Sequence, residues 1–153
     1  MPDPGRGASA TRGRADLLRY IETSALLAAL LEQEPEAKRA LRAKGQRVTS
    51  VLTIAEAQRA IVRARGAGRL DTAQERAVVR ALRTFAARCD LVAVTEDVLE
   101  RAGRPFPMEP IRTLDAVHLA TAELLGEPPA LLTIVTRDSR VRDNATAMGY
   151  ATD

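Results

Sequence analysis

The sequence predicts an α/β fold with a central, mainly parallel sheet of four to five strands flanked by helices. Short apolar runs of strand length alternate with longer segments of helical periodicity along most of the chain. This alternation is typical of parallel sheets, because each parallel strand needs a crossover that brings the chain back to the same edge. With 153 residues and 46% apolar content, the chain is long enough to bury the core of one domain.

The N-terminal segment and the composition limit the classes of protein to which the chain can belong. Residues 1–16 are rich in Gly, Pro, Arg and small polar residues, which predicts a flexible N-terminal tail followed by a single domain over 17–153. The only cysteine, Cys89, can form no internal disulfide and belongs to no Cys/His zinc motif. No apolar run approaches the ~20 residues of a membrane span, and the N-terminus lacks a secretory signal. We therefore expect a cytoplasmic protein without a membrane partner.

The elements of the first half follow from periodicity and from residues that begin or end helices. The run LLRYIE predicts a first strand, and Pro35 suits the first turn of a helix that Gly45 is expected to end. Apolar residues at helical spacing predict a later amphipathic helix whose buried side holds Ile54, Ala57, Ile61 and Val62. The predicted elements are a strand over 17–22, helices over 25–34 and 36–45, a strand over 46–51 and a helix over 53–68.

The second half continues the same alternation. Thr95 and Thr113 each precede an apolar helical segment, so both are predicted N-caps. The run ALLTIVT is the most strand-like of the chain, because it is short, apolar and rich in branched residues. The predicted elements are a helix over 71–88, a strand over 90–94, a helix over 95–103, a proline-rich loop over 104–112, a helix over 114–126, a strand over 130–136, a helix over 137–149 and a short strand at 150–151.

Four carboxylates lie where predicted strands end or where the following helices begin: Glu22, Glu56, Asp115 and Asp138. Ligands of open parallel sheets bind at the carboxyl ends of the strands. Divalent cations such as Mg²⁺ prefer oxygen ligands, and they activate water and neutralise phosphate charge. The same residues also have purely structural interpretations, as helix caps, dipole partners or surface ion pairs. Residue types and positions alone leave both interpretations open.

The sequence around these acids resembles a known family. The blocks YIETSALLAALL, TSVLTIAEAQRAI, IRTLDAVHLATAELL and TIVTRDSRVRDNA are together similar to the PIN-domain family, and within it to the VapC-type toxins of toxin–antitoxin pairs. The resemblance runs from about residue 17 to residue 150. It implies a PIN-like fold and a metal-dependent endoribonuclease that uses Mg²⁺ or Mn²⁺ on RNA. It also implies a cognate antitoxin and a homodimer. The apolar helix faces between Ile54 and Arg88 either bury against such a partner or simply cover the sheet.

The resemblance assigns roles residue by residue. The four family acids fall on Glu22, Glu56, Asp115 and Asp138, of which Glu22, Asp115 and Asp138 are the expected metal ligands. Ser24 and Thr136 match the small hydroxyl positions beside the first and last acids, where they would hydrogen-bond to carboxylates or to water on the metal. His118, the only histidine, is expected to support the site from behind. Independently of the resemblance, Asp143 is expected to be an exposed charge or a peripheral group of the site, and Cys89 a buried small hydrophobe or a partly exposed thiol, not a nucleophile.

One departure from the family pattern keeps an alternative open. The first acid of the family is usually Asp, and this chain has Glu22, whose longer side chain moves the carboxylate outward. Because Mg²⁺ demands near-ideal octahedral geometry, the alternative is a catalytically degenerate PIN-like module that binds RNA or protein. A phosphatase or small-ligand transferase on an α/β fold is a further alternative, but the chain has no Gly-rich phosphate-binding motif.

Overall fold

A computed structural model describes residues 17–153 of the chain; the predicted tail over 1–16 lies outside the described residues. Five strands alternate with seven α-helices in this part. In chain order the elements are β1 (Leu18–Ile21), α1 (Thr23–Leu30), α2 (Pro35–Arg42), β2 (Gln46–Ser50), α3 (Val51–Gly66), α4 (Thr72–Ala87), β3 (Asp90–Val92), α5 (Glu96–Ala102), α6 (Thr113–Glu123), a 3₁₀ turn (Pro129–Leu131), β4 (Leu132–Val135), α7 (Ser139–Ala147) and β5 (Ala151–Thr152).

The five strands form one sheet in the order β3-β2-β1-β4-β5. All four neighbouring pairs are parallel, which confirms the predicted α/β fold and its parallel sheet. In the register, Tyr20 of β1 lies between Val48 of β2 and Ile134 of β4. Strands β1 and β4 are therefore central neighbours, and their carboxyl ends meet at one edge of the sheet.

The core lies on both faces of the sheet, because successive strand side chains point to opposite faces. Tyr20 and Ile134 belong to a buried cluster completed by α5, α6 and α7. The next residue of each strand, Ile21 and Val135, belongs to a second cluster completed by α1, α3 and α4. This arrangement explains why β1 and β4 are apolar at consecutive positions instead of alternating with polar residues.

Several predicted boundaries were wrong. Helix α2 ends at Arg42 rather than at Gly45. Gly45 lies just before β2 with φ +133°, and a Cβ atom there would lie 2.6 Å from the Leu17 carbonyl oxygen, so the turn into β2 requires glycine. Helix α3 follows β2 directly and begins at Val51, two residues earlier than predicted, because the Ser50 hydroxyl accepts from the Leu52 N–H.

Two further predictions about helices need correction. Thr113 is the first residue of α6 and does not cap it; the N-cap position is Arg112, whose side chain makes no capping hydrogen bond. Val62 was predicted on the buried side of α3, but it is 52% exposed while its neighbour Ile61 is buried. Thr95 does cap α5 as predicted, by accepting from the Val98 N–H. In residues 17–153, no helix combines the length and apolar character that crossing a membrane would require.

Candidate active site

Glu22 lies directly after β1, and its carboxylate is buried among hydroxyl groups. Its Oε2 atom accepts hydrogen bonds from the Ser24 hydroxyl and from the Thr136 hydroxyl, the latter at 2.8 Å. Its Oε1 atom accepts from the Ser24 N–H at 3.1 Å, so Glu22 also caps α1. Because β1 and β4 are adjacent, the end of β4 delivers Thr136 to this carboxylate. The structure thus brings Glu22, Ser24 and Thr136 together.

The same two hydroxyls connect Glu22 to Asp138. Ser24 Oγ accepts from the Asp138 N–H at 3.1 Å, and Thr136 Oγ1 accepts from the same group at 3.1 Å. Asp138 itself caps α7, because its Oδ1 atom accepts from the backbone N–H groups of Arg140 and Val141. Its Oδ2 atom takes no part in the cap and points to another partner.

That partner is Arg112, which bridges two of the predicted acids. Its Nη2 atom donates to Asp138 Oδ2 at 2.9 Å, and its Nε atom donates to Asp115 Oδ2 at 2.9 Å. Asp115 lies in the first turn of α6, with Arg112 one position before that helix. Hydrogen bonds to Asp115, together with the charges of Asp115 and Asp138, raise the pKa of Arg112, so the bridge carries a positive charge at neutral pH.

Glu56 lies on the other side of Glu22, in the second turn of α3, where it meets a buried histidine. His118 Nε2 is 2.6 Å from Glu56 Oε1 and 4.0 Å from Glu22 Oε1. The Thr23 hydroxyl donates to Glu56 Oε1 at 2.7 Å. Burial alone would raise the pKa of Glu56, but the hydrogen bonds from His118 and Thr23 outweigh it and lower that pKa below 4.5. Glu56 is therefore a carboxylate at neutral pH.

Behind Glu56, His118 is held by Tyr20. The two side chains are fully buried, and the Tyr20 hydroxyl lies 2.8 Å from His118 Nδ1. Burial raises the pKa of Tyr20, so its phenol keeps the proton needed to donate. When Tyr20 donates to Nδ1, the proton of a neutral imidazole sits on Nε2 and points at Glu56. His118 then supports the site from behind and orients a carboxylate.

The four predicted acids thus belong to one continuous polar network. Through residues 17–153, no three Asp, Glu, His or Cys side chains are gathered into a ready-made metal site. Asp115 and Asp138 nevertheless offer suitable chemistry, since both present a carboxylate oxygen to one shared cation, the Arg112 guanidinium. Oxygen donors of this kind fit Mg²⁺ or Mn²⁺. Glu22 adds a third carboxylate, tied to the Asp138 backbone by Ser24 and Thr136.

Comparison with known proteins identifies the family. The family model described as PIN domain matches residues 19–146, which is most of the chain. The chain belongs to the PIN-domain family. It is also similar to ribonuclease VapC46 of Mycobacterium tuberculosis, with 41% identity over 139 residues that cover 86% of this chain and 93% of VapC46. These matches confirm the resemblance to VapC-type PIN proteins that the four sequence blocks indicated.

Solved structures of similar fold agree with this assignment. A toxin–antitoxin complex from Klebsiella pneumoniae contains a chain with 25% identity and a TM-score of 0.54, covering 80% of this chain and 88% of its own. VapBC2 from Rickettsia felis, bound to a DNA fragment from its promoter, gives a TM-score of 0.63 at 12% identity, with 90% and 98% coverage. At 12% identity, the similarity to VapBC2 shows the fold alone.

Three residues of this candidate site were not predicted from the sequence. Arg112 precedes Asp115 by three residues, a spacing that places two side chains together on a helix. Because Arg112 lies just before the helix, however, the sequence does not show where its side chain points. Thr23 lies in the predicted break between the first strand and the first helix, where no role is predicted for it, although it adjoins the first acid. Tyr20 lies two residues before Glu22, and residues two apart in extended backbone point to the same side. This spacing was the signal in the sequence that could have indicated Tyr20.

Two further residues considered from the sequence lie outside this hydrogen-bonded network. Asp143 is exposed on α7. Cys89 is half-buried just before β3, and burial raises the pKa of its thiol to about 11. The Cys89 side chain is therefore protonated at neutral pH, which makes it a poor nucleophile.

Proposed function

We propose that this PIN protein is a metal-dependent endoribonuclease that hydrolyses RNA phosphodiester bonds as the toxin of a toxin–antitoxin pair. The observation that carries the proposal is the pair Asp115 and Asp138, whose Oδ2 atoms share one cation at the carboxyl edge of the sheet. The 41% identity with a protein named ribonuclease VapC46 supports the same activity. Mg²⁺ or Mn²⁺ would be held by Asp115 and Asp138, with Glu22 as the third carboxylate.

When bound, such a cation activates water and neutralises charge on the scissile phosphate. The residues of the chain supply the remaining functions. Glu56, with its lowered pKa, stays ionised and accepts a hydrogen bond from the attacking water, which orients it. His118 and Thr23 hold that carboxylate in place. Exposed arginines beside the site attract the phosphates of the RNA, so RNA affinity is expected to fall as salt rises.

Cleavage of a labelled RNA by the purified full-length chain tests the proposal. The chain is assayed with Mg²⁺, with Mn²⁺ and with EDTA, beside the variants Asp115→Asn and Glu56→Gln. We expect Asp115→Asn to lose at least about 100-fold of the rate, because losing even an outer-shell partner of a metal typically costs 10–100-fold. Asp97→Asn is the matched control: it removes an exposed acid from the first turn of α5 and should cleave normally. Equal cutting by all four proteins would identify a contaminant and refute the proposal.

The alternative is a degenerate PIN module that binds RNA without cleaving it. A guanidinium that stayed on Asp115 and Asp138 would leave no place for a metal, so the Arg112 bridge is also compatible with this alternative. RNA binding by the wild type, with no cleavage under any metal and no effect of Asp115→Asn, would establish this alternative.

We also propose that the antitoxin docks in a groove between α1, α2 and α4. This groove encloses about 460 Å³; apolar side chains such as Leu30, Leu41 and Phe85 line it together with the basic Lys38, Arg42, Arg47 and Arg88. Such a surface is complementary to an amphipathic helix with acidic flanks. The similar Klebsiella pneumoniae chain belongs to a toxin–antitoxin complex, which supports a partner of this class.

Co-purification with the product of the neighbouring reading frame tests this docking site. Phe85→Glu places a charge in the groove and should abolish co-elution. Leu99→Glu, on an exposed position of α5, should leave the complex intact. Unchanged co-elution of the Phe85 variant would reject the groove.

We further propose that the chain forms a homodimer through the edge of the sheet at β3. This strand pairs on one side only, with β2, and the nearby apolar residues Val51 and Leu91 are more than 40% exposed. A second copy would cover both the edge and these side chains. Light scattering should give twice the 16.5 kDa of one chain, and Leu91→Lys should return it to 16.5 kDa. A monomeric wild type would reject the dimer.

A further inference from the structure

The bridge formed by Arg112 has an unusual distribution of exposure. The Arg112 side chain is 64% exposed, whereas the side chains of Asp115 and Asp138 are 12% and 22% exposed. An exposed cation therefore lies across two largely buried carboxylates. Exposed ion pairs contribute little to stability because solvent screens them, so the guanidinium can leave without disturbing the fold.

The backbone that carries Arg112 is held by other contacts. The Asn144 side chain accepts from the Met108 N–H and donates to the Met108 carbonyl oxygen. The Glu109 carboxylate accepts from the Phe106 and Ile111 N–H groups. The loop before α6 is thus fixed independently of the bridge, and release of the guanidinium requires only rotation of the Arg112 side chain.

Arg112 occupies the carboxylate oxygen of Asp138 that is left for a divalent cation, and it binds Asp115 at the same time. Asp138 Oδ1 already serves as the cap of α7, which leaves Oδ2 as its free atom. Asp115 likewise presents Oδ2 to Arg112. Two cations cannot be centred between the same pair of carboxylate oxygens, because their positive charges repel each other at short distance.

We propose that Arg112 is a built-in competitor for the divalent cation: its guanidinium neutralises Asp115 and Asp138 until a metal displaces it. The concentration of metal needed to load the site is then set by a residue of the chain itself. This inference rests on the proposed metal-dependent function and adds a regulating residue to it.

Mn²⁺ binding to the full-length chain, measured by electron paramagnetic resonance without RNA, tests the inference. We expect Arg112→Ala to bind Mn²⁺ about tenfold more tightly than the wild type, since apparent affinity falls in proportion to the fraction of competent site. Arg140→Ala is the matched control, because Arg140 is exposed on the first turn of α7 and its loss removes the same charge near Asp138. Arg140→Ala should change the affinity less than twofold.

A second measurement protects the test against a folding defect. Without metal, Arg112→Ala leaves two neighbouring carboxylates without their shared cation, so its Tm should lie slightly below that of the wild type, as expected for an exposed ion pair. Added Mn²⁺ should then raise the Tm of Arg112→Ala more than that of the wild type. If Arg112→Ala does not fold, Arg112→Gln, which keeps the length without the charge, takes its place in both measurements.

Each outcome separates this inference from the proposed function. Equal or weaker Mn²⁺ binding by Arg112→Ala overturns the competition, and so does an equal gain in Arg140→Ala, which would indicate general charge repulsion. Wild-type cleavage with Mn²⁺ would leave the nuclease proposal standing in both cases. Absence of Mn²⁺ binding in all variants, together with absence of cleavage, would overturn both.

Discussion

Replacement of Tyr20 by Phe tests the buried support of the site. The substitution removes one hydroxyl from a side chain with no exposed surface, and it leaves His118 Nδ1 without its 2.8 Å partner. A buried acceptor left unsatisfied costs about 1–3 kcal/mol. For a chain of this size, each 1 kcal/mol lost from the free energy of unfolding lowers the Tm by about 2–4 °C, so the loss is also measurable as a lower Tm. We therefore expect Tyr20→Phe to lower the free energy of unfolding by about 1–3 kcal/mol.

Urea unfolding followed by circular dichroism measures this loss, with Tyr150→Phe as the matched control. Tyr150 is largely buried, but within the described residues its hydroxyl makes no hydrogen bond and is not cut off from solvent. Its removal should cost less than about 0.5 kcal/mol, as for ordinary surface changes. Nitrogen chemical shifts of the single histidine add a second readout, because we expect the wild-type proton on Nε2. Equal losses in both variants, or a wild-type proton on Nδ1, would refute the reasoning.

Three further predictions concern single residues. The pKa of Glu56 is lowered on folding, so the contribution of its charge to stability is present above pH 4.5 and is lost as the pH falls below that value. The difference in free energy of unfolding between wild type and Glu56→Gln should therefore shrink between pH 5 and pH 3. A constant difference would contradict the lowered pKa. Because burial raises the pKa of Cys89 to about 11, iodoacetamide should label it slowly at pH 7 and faster as the pH rises, as followed by mass spectrometry; rapid labelling at pH 7 would contradict this. Asn144→Ala should destabilise the chain by about 1–3 kcal/mol and speed amide exchange of Met108, whose N–H it holds; unchanged exchange would show that other contacts fix the loop.

Much of the fold could be predicted from the sequence because the alternation of strands and helices along the chain leaves a strong signal. Consecutive apolar residues in β1 and β4 reflect burial on both faces of the sheet, and the helices between them reflect parallel crossovers. Boundaries were less predictable. Gly45 was interpreted as a helix end, yet it serves a tight turn into β2, and both positions favour the same residue type for the same reason, its freedom at positive φ.

The candidate site was predictable at the level of its acids and hydroxyls, which the family-like blocks identified. The contacts among them were not. Arg112 and Thr113 are adjacent, and the sequence favoured the hydroxyl as the cap of α6, whereas the structure places Arg112 at that position and turns its guanidinium to Asp138. That contact spans 26 residues and depends on the packing of α6 beside α7, which local spacing does not encode.

The two oxygen atoms of Asp138 have different partners, and this affects which residue should be substituted when an inactive variant is needed for crystallisation or for co-expression. One oxygen begins α7 and the other faces Arg112. Alanine at this position would remove a helix cap, typically worth about 1 kcal/mol, so lost activity could not be distinguished from lost folding. Asparagine keeps an oxygen for the cap, and Asp115, which caps no helix, is the cleaner position at which to inactivate the chain.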